Sequence, residues 1–137
     1  MFLTVFSDGL EQTMREGLEG ALAHQDPVKR VEEYLRPGVI YSRGLGTKAI
    51  EDIQSYLPAT QMLERYREER MRALEEIIAS GIKLGSFRAV HPHLVAETLL
   101  AGIHRLQQLS IEEKSELAFD EAVAELYDLL LHGLVLT

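Results

Sequence analysis

The stretch "RYREERMRALEEI", residues 65–77, is a dense run of side chains that could do chemistry, with four Arg and four Glu around one Tyr. At about 100° per residue, Arg70 falls in one helical stripe with Leu63, Tyr66, Leu74 and Ile77. A charge on an apolar stripe costs free energy unless it is paired. Arg70 is therefore either an anchor for an anionic ligand head, such as an acyl carboxylate, or a residue that pairs with a nearby Glu or runs its stem out to water. The pairs Glu68-Glu69 and Glu75-Glu76 offer carboxylates, but on a charge-laced helix they read as a solvated face. His91 and His93 flank Pro92 at a helix start, where a turn or an interface rim is the expected role. No acidic residue stands at helical metal-site spacing from both, so no metal is expected. With no nucleophile–base pair and no phosphate-cradling glycine loop, neither an enzyme nor a cofactor is expected.

The composition narrows the class further. A net charge of −8, from 22 acidic and 14 basic residues, argues against an extended phosphate-binding surface. The absence of cysteine removes disulfides, thiolate chemistry and Cys-ligated metals, and is compatible with a cytoplasmic location. No apolar run reaches the roughly 18–20 residues of a membrane span, so no membrane partner is expected. At 137 residues the chain suits one domain, 1–137.

The elements that must position Arg70 are helical throughout, because no period-2 alternation of useful length occurs. Residues 2–24 read as a helix with Phe2, Leu3, Phe6, Leu10, Met14, Gly17 and Ala21 on its buried side. Asp26 and Pro27 supply an N-cap and a first-turn proline for a second helix, which Arg36-Pro37-Gly38 should stop or kink. Thr47 can cap a short helix that Pro58 ends, and a long helix follows from Ala59 to about Leu84, terminated by Gly85. Pro92 opens a helix to Leu109, and Phe119 to about Leu134 forms the last.

The last two helices are too apolar for a single neighbour. On the final one, only Glu121, Glu125, Asp128 and His132 make a continuous polar strip. On the one before it, Val95, Ala96, Leu99, Ile103 and Leu106 face inward, while Leu94, Thr98, Ala101 and Arg105 share the opposite side. This pattern points to a homodimer made by pairing both helices with their symmetry mates through Leu94, Thr98, Ala101, Arg105, Phe119, Val123, Leu126 and Leu130. A monomer with a deeply buried last helix is the alternative.

Three segments carry a resemblance to a known family. "ALEEIIASGIKLGSFRAVHPHLVAETLLAGI", residues 73–103, joins a long helix, a Gly-x-x-x-Gly-x-Phe-Arg turn and a Pro-initiated helix rich in Ala and Leu; "FDEAVAELYDLLLHGL" closes the chain, and "MFLTVFSDGL" opens it inside a helix. Together they resemble the C-terminal, ligand-sensing and dimerising domain of the TetR family of bacterial transcriptional regulators. The resemblance implies an all-α multi-helix bundle whose last two helices form the dimer interface. It implies a cytoplasmic regulator, a repressor when complete, that senses a small apolar or amphipathic effector. DNA would be met only through an N-terminal helix-turn-helix domain of roughly 50 residues, absent from this sequence. The implied pocket lies before the dimer helices, and Met14, Gly17, Tyr34, Tyr41, Met62 and Tyr66 could line it beside Arg70. Gly81 and Gly85 would shape the turn, Phe87 would plug the core beneath it, and Pro92 would restart the chain. The alternative to the sensing reading is a headless helical protein-interaction module without a pocket.

Overall fold

The computed structural model describes residues 2–43 and 47–135, with the side chains of residues 2, 42, 43, 47 and 50 outside that description. Phe2 on the buried face and Thr47 as a cap therefore lie outside the described side chains. The described residues form six helices: α1 (Phe2–Leu22), α2 (Pro27–Arg43), α3 (Thr47–Ser55), α4 (Leu57–Lys83), α5 (Pro92–Ile111) and α6 (Phe119–Leu134). The fold class is all-α; the extended pairing among them is a single isolated bridge between Phe87 and Val135. None of these helices is long and apolar enough to cross a membrane.

The apolar side of α1 is inside as expected, with Phe6, Leu10 and Ala21 buried and Leu3 and Met14 half-buried. Thr13 shares that side because its hydroxyl donates back to the Gly9 carbonyl at 2.7 Å, leaving no polar hydrogen unpaired. Four residues separate α1 from α2, which packs back along it. The corner is held by Asp26, whose carboxylate accepts from the Val28 N–H at 3.3 Å, and by Arg30, whose Nε donates to the His24 carbonyl at 2.7 Å. Close approach of the two helices depends on Gly17: a Cβ there would stand 2.8 Å from the Tyr34 carbonyl oxygen.

Two boundaries differ from the sequence expectation. Of the stop or kink expected at Arg36-Pro37-Gly38, the stop does not occur: Pro37 lies inside α2, which continues to Arg43. The lost N–H and the ring clash are outweighed by what the continuation holds in place: Val39 packs on the main core and Tyr41 on a smaller one. Pro58 does not terminate α3, which ends at Ser55; it sits in the first turn of α4, where the missing N–H is harmless. The short corner is closed by the Thr60 hydroxyl, which donates to the Ile53 carbonyl at 2.9 Å.

The turn after α4 forms as its glycines suggest. Gly85 takes φ +81°, and the N–H groups of Ser86 and Phe87 both return to the Gly81 carbonyl, at 3.0 and 3.2 Å. Gly81 has no side chain because the Phe87 ring occupies that space, and Phe87 is buried in the main core. The Arg88 N–H then donates to the Leu134 carbonyl at 3.0 Å, which ties the turn to the end of α6. His93 at the start of α5 reaches Glu75 of α4 at 2.6 Å, joining the two helices across the turn.

The core has two parts. The larger joins Val31, Tyr34 and Leu35 of α2, Leu74 and Ile78 of α4, Leu99 of α5, and Phe119, Val123, Tyr127 and Leu134 of α6. The smaller gathers Phe6 and Leu10 of α1, Ile53 of α3 and Ala59 of α4. The seam between them is where the packing opens.

Candidate ligand cavity

At that seam the structure holds a cavity of about 80 Å³. Its walls come from all six helices: Phe6 and Leu10, Gly38 and Tyr41, Ile53, then Leu63, Tyr66, Arg67, Arg70, Met71 and Leu74 of α4, and the inward faces of α5 and α6. Most of that surface is apolar, as expected where two apolar clusters fail to meet. Its charges are unusual: two arginines and no aspartate or glutamate, inside a chain of net charge −8.

Arg70 is where the sequence stripe puts it, turned inward, and it follows neither bland route. It makes no ion pair with a described Glu, and its stem does not carry the head to water; Nη2 is buried without a hydrogen-bond partner among the described residues. Its guanidinium carbon lies 6.0, 5.8 and 5.6 Å from the ring centres of Tyr34, Tyr66 and Tyr127, within cation–π range of all three. Room for the head exists because residue 38 is glycine: a Cβ there would fall 2.7 Å from Nη1 and 2.8 Å from Cζ. Burial opposes the charge, while the Tyr127, Tyr66 and Tyr34 oxygens favour it, and the net effect is to hold the guanidinium's pKa above its ordinary value. Arg67, one turn earlier, has found a partner: its Nη2 donates to Oε1 of Gln107, a buried side chain of α5. Burial lowers the Arg67 pKa, against the pull of Glu64.

Burial also raises the pKa of Tyr34, Tyr66 and Tyr41, so their hydroxyls stay protonated and available as donors at neutral pH. The Tyr34 hydroxyl is already used, donating to the Arg70 backbone carbonyl at 3.2 Å with the Met14 sulfur 3.4 Å away. Tyr34 fixes the helix that carries Arg70 and does not line the cavity.

The residues suggested by the family resemblance thus divide into three groups. Tyr41, Tyr66 and Arg70 line the cavity. Met14 and Met62 line a separate, open groove of about 530 Å³ between α1 and α4, which shares Leu10 and Tyr66 with the cavity. Gly17 and Tyr34 line neither, because both are consumed by the α1–α2 crossing and by support of α4. Arg67, Met71 and Gln107 belong to the site and were not anticipated. Arg67 was open to the same angular reading as Arg70, whereas Gln107 carries no signal without knowledge of which face of α5 meets α4.

The residues expected at the dimer face divide as well. Leu94, Thr98, Ala101 and Arg105 are exposed on α5, with Leu94 at 64%. Leu126 is half-buried against Gly102 and borders an outer groove that also includes Arg105, Leu117 and Leu129. Leu130 is half-buried and packs on the main core. Phe119 and Val123 are corrected: they point into the chain's own core and wall the cavity, sharing one stripe with Tyr127 at four-residue spacing. Leu129 carries the exposure instead, at 71%.

No family model matches the chain, and neither a curated protein nor a solved structure is similar enough to count as a match.

Proposed function

We propose that this chain is the effector-binding and dimerisation domain of a TetR-like transcriptional regulator, a cytoplasmic repressor when joined to a DNA-reading domain. One observation carries the reading. The far wall of the cavity is built by Ala96, Leu99 and Ile103 of α5 and Phe119 and Val123 of α6, while the opposite sides of the same helices expose Leu94, Ala101 and Leu129. A molecule in the cavity therefore presses on the inner faces of helices whose outer faces would meet a second copy. That is the physical requirement for ligand occupancy to alter a dimer: differential contact with two packings of the same elements. A plain helical interaction module has no need of a largely apolar cavity whose walls include two arginines.

In this proposal the chemistry is non-covalent. The apolar walls take up the effector body, the tyrosine hydroxyls and arginines orient it, and Leu10 with Tyr66 separates the cavity from the open groove through which it would enter. Native mass spectrometry tests both halves of the proposal. The expected result is a species of twice the 15.5 kDa chain mass that takes up one small molecule per subunit. A monomer at micromolar concentration that takes up none would overturn it.

A further inference from the structure

The Arg70 guanidinium is a buried cation without a counter-ion, and the question is what neutralises it. The acidic groups on α4 and on the helices packed against it are committed or turned away: Glu75 stands 2.6 Å from His93 and Glu76 is exposed. Glu64, Glu68 and Glu69 are exposed, Glu33 pairs with Arg36 at 2.9 Å, and Asp128 stands 3.4 Å from His132 on the outer side of α6. No described acidic side chain lines the cavity. Three tyrosine rings stabilise the charge and the Tyr127 hydroxyl accepts a hydrogen bond from the guanidinium, but Nη2 stays unbonded, and a neutral phenol cannot balance the charge. An unpaired buried donor of this kind is costly, and Gly38 leaves space for the head where any other residue would push it away. Arg67, the second cation, donates its Nη2 to Gln107, so the unbonded nitrogen in the cavity belongs to Arg70.

We propose that the cavity binds a small organic monoanion, a carboxylate on a short apolar body, with its carboxylate on Arg70 and its body against Leu99, Ile103 and Val123. The proposal rests on the effector-cavity reading and names the ligand class for that same site. A carboxylate matches the guanidinium fork, which it can engage through two parallel hydrogen bonds. A phosphate monoester carries more charge than one unpaired arginine balances, and its oxygens would have few other donors among apolar walls. The cavity, about 80 Å³ against the several hundred of a typical drug-sized pocket, confines the body to a few carbons or one ring.

The test is a matched-pair titration of the intact chain by calorimetry, with benzoate and butyrate against benzamide and butyramide. Each pair differs in charge and hardly in shape. Wild-type protein is expected to bind the acids about tenfold or more tightly than the amides, the difference made by a charge-assisted pair. Arg70→Met is expected to remove that preference, whereas Arg67→Gln is expected to keep it. The wild-type comparison needs no variant to fold, and circular dichroism checks the variants. Equal binding of acid and amide, with both lost in Leu99→Trp, would overturn the anion inference and leave the effector cavity standing. Retention of the acid preference in Arg70→Met would also overturn it. Binding of none of the four probes at millimolar concentration would overturn both.

Discussion

Replacing Gly38 by alanine tests whether the glycine exists to seat the Arg70 head. In an ordinary helix interior, Gly→Ala stabilises by about 0.5–1 kcal/mol because alanine has less backbone freedom to lose. Here the added Cβ would lie 2.7 Å from Nη1 and 2.8 Å from Cζ, well inside van der Waals contact. The head of an arginine can often swing aside, but three tyrosine rings surround this one, and the open direction is the cavity itself. Overpacking of this kind costs about 1–3 kcal/mol. Setting it against the helix gain, Gly38→Ala should destabilise the chain by about 1–2 kcal/mol. In an Arg70→Met background the clash is relieved, and the same change should recover the helix gain of about 0.5–1 kcal/mol. Urea unfolding followed by circular dichroism at 222 nm measures all four corners of the cycle, and the coupling should be about 2 kcal/mol. If Gly38→Ala stabilises equally in both backgrounds, the head is not confined as described.

Other changes probe separate parts of the structure. Tyr34, Tyr41 and Tyr66 have pKa values raised above the usual 10.0, so folded protein holds protons that the unfolded chain releases; stability should be flat at neutral pH and fall as pH rises past about 10, seen as earlier urea unfolding. Phenylalanine at all three positions should flatten that fall. Gly85→Ala meets no neighbour within 4 Å and should cost only the left-handed backbone strain, about 1–2 kcal/mol by the same unfolding assay. Leu74→Ala, at a side chain 1% exposed that also borders the cavity, should cost about 2–5 kcal/mol and enlarge the space, so that benzamide binds more tightly in calorimetry. Leu129→Glu should leave the unfolding free energy of one chain within about 0.5 kcal/mol while shifting light scattering toward monomer.

Much of this arrangement was legible because helical periodicity speaks directly about one face at a time. The inward stripe of α5 and the inward angle of Arg70 follow from spacing within one helix, while the turn built on Gly81, Gly85 and Phe87 was expected from the resemblance. The errors arise where two faces compete. The last helix is apolar around more than half its circumference, so periodicity alone could not say that Phe119 and Val123 turn inward while Leu129 turns out. Pro37 reads locally as a helix stop or kink, and the packing of Val39 and Tyr41 explains why α2 continues through it. The partnership of Arg67 with Gln107 spans forty residues, and no local pattern encodes it.

Methyl NMR during a benzoate titration tests the central claim, that this bundle takes a small molecule into its interior. The expected result is shifts concentrated at Ile53, Leu99, Ile103 and Val123, which line the cavity, with Val5, Leu84 and Leu94, exposed elsewhere, unmoved. Shifts confined to the exposed methyls, or none at saturating benzoate, would contradict it.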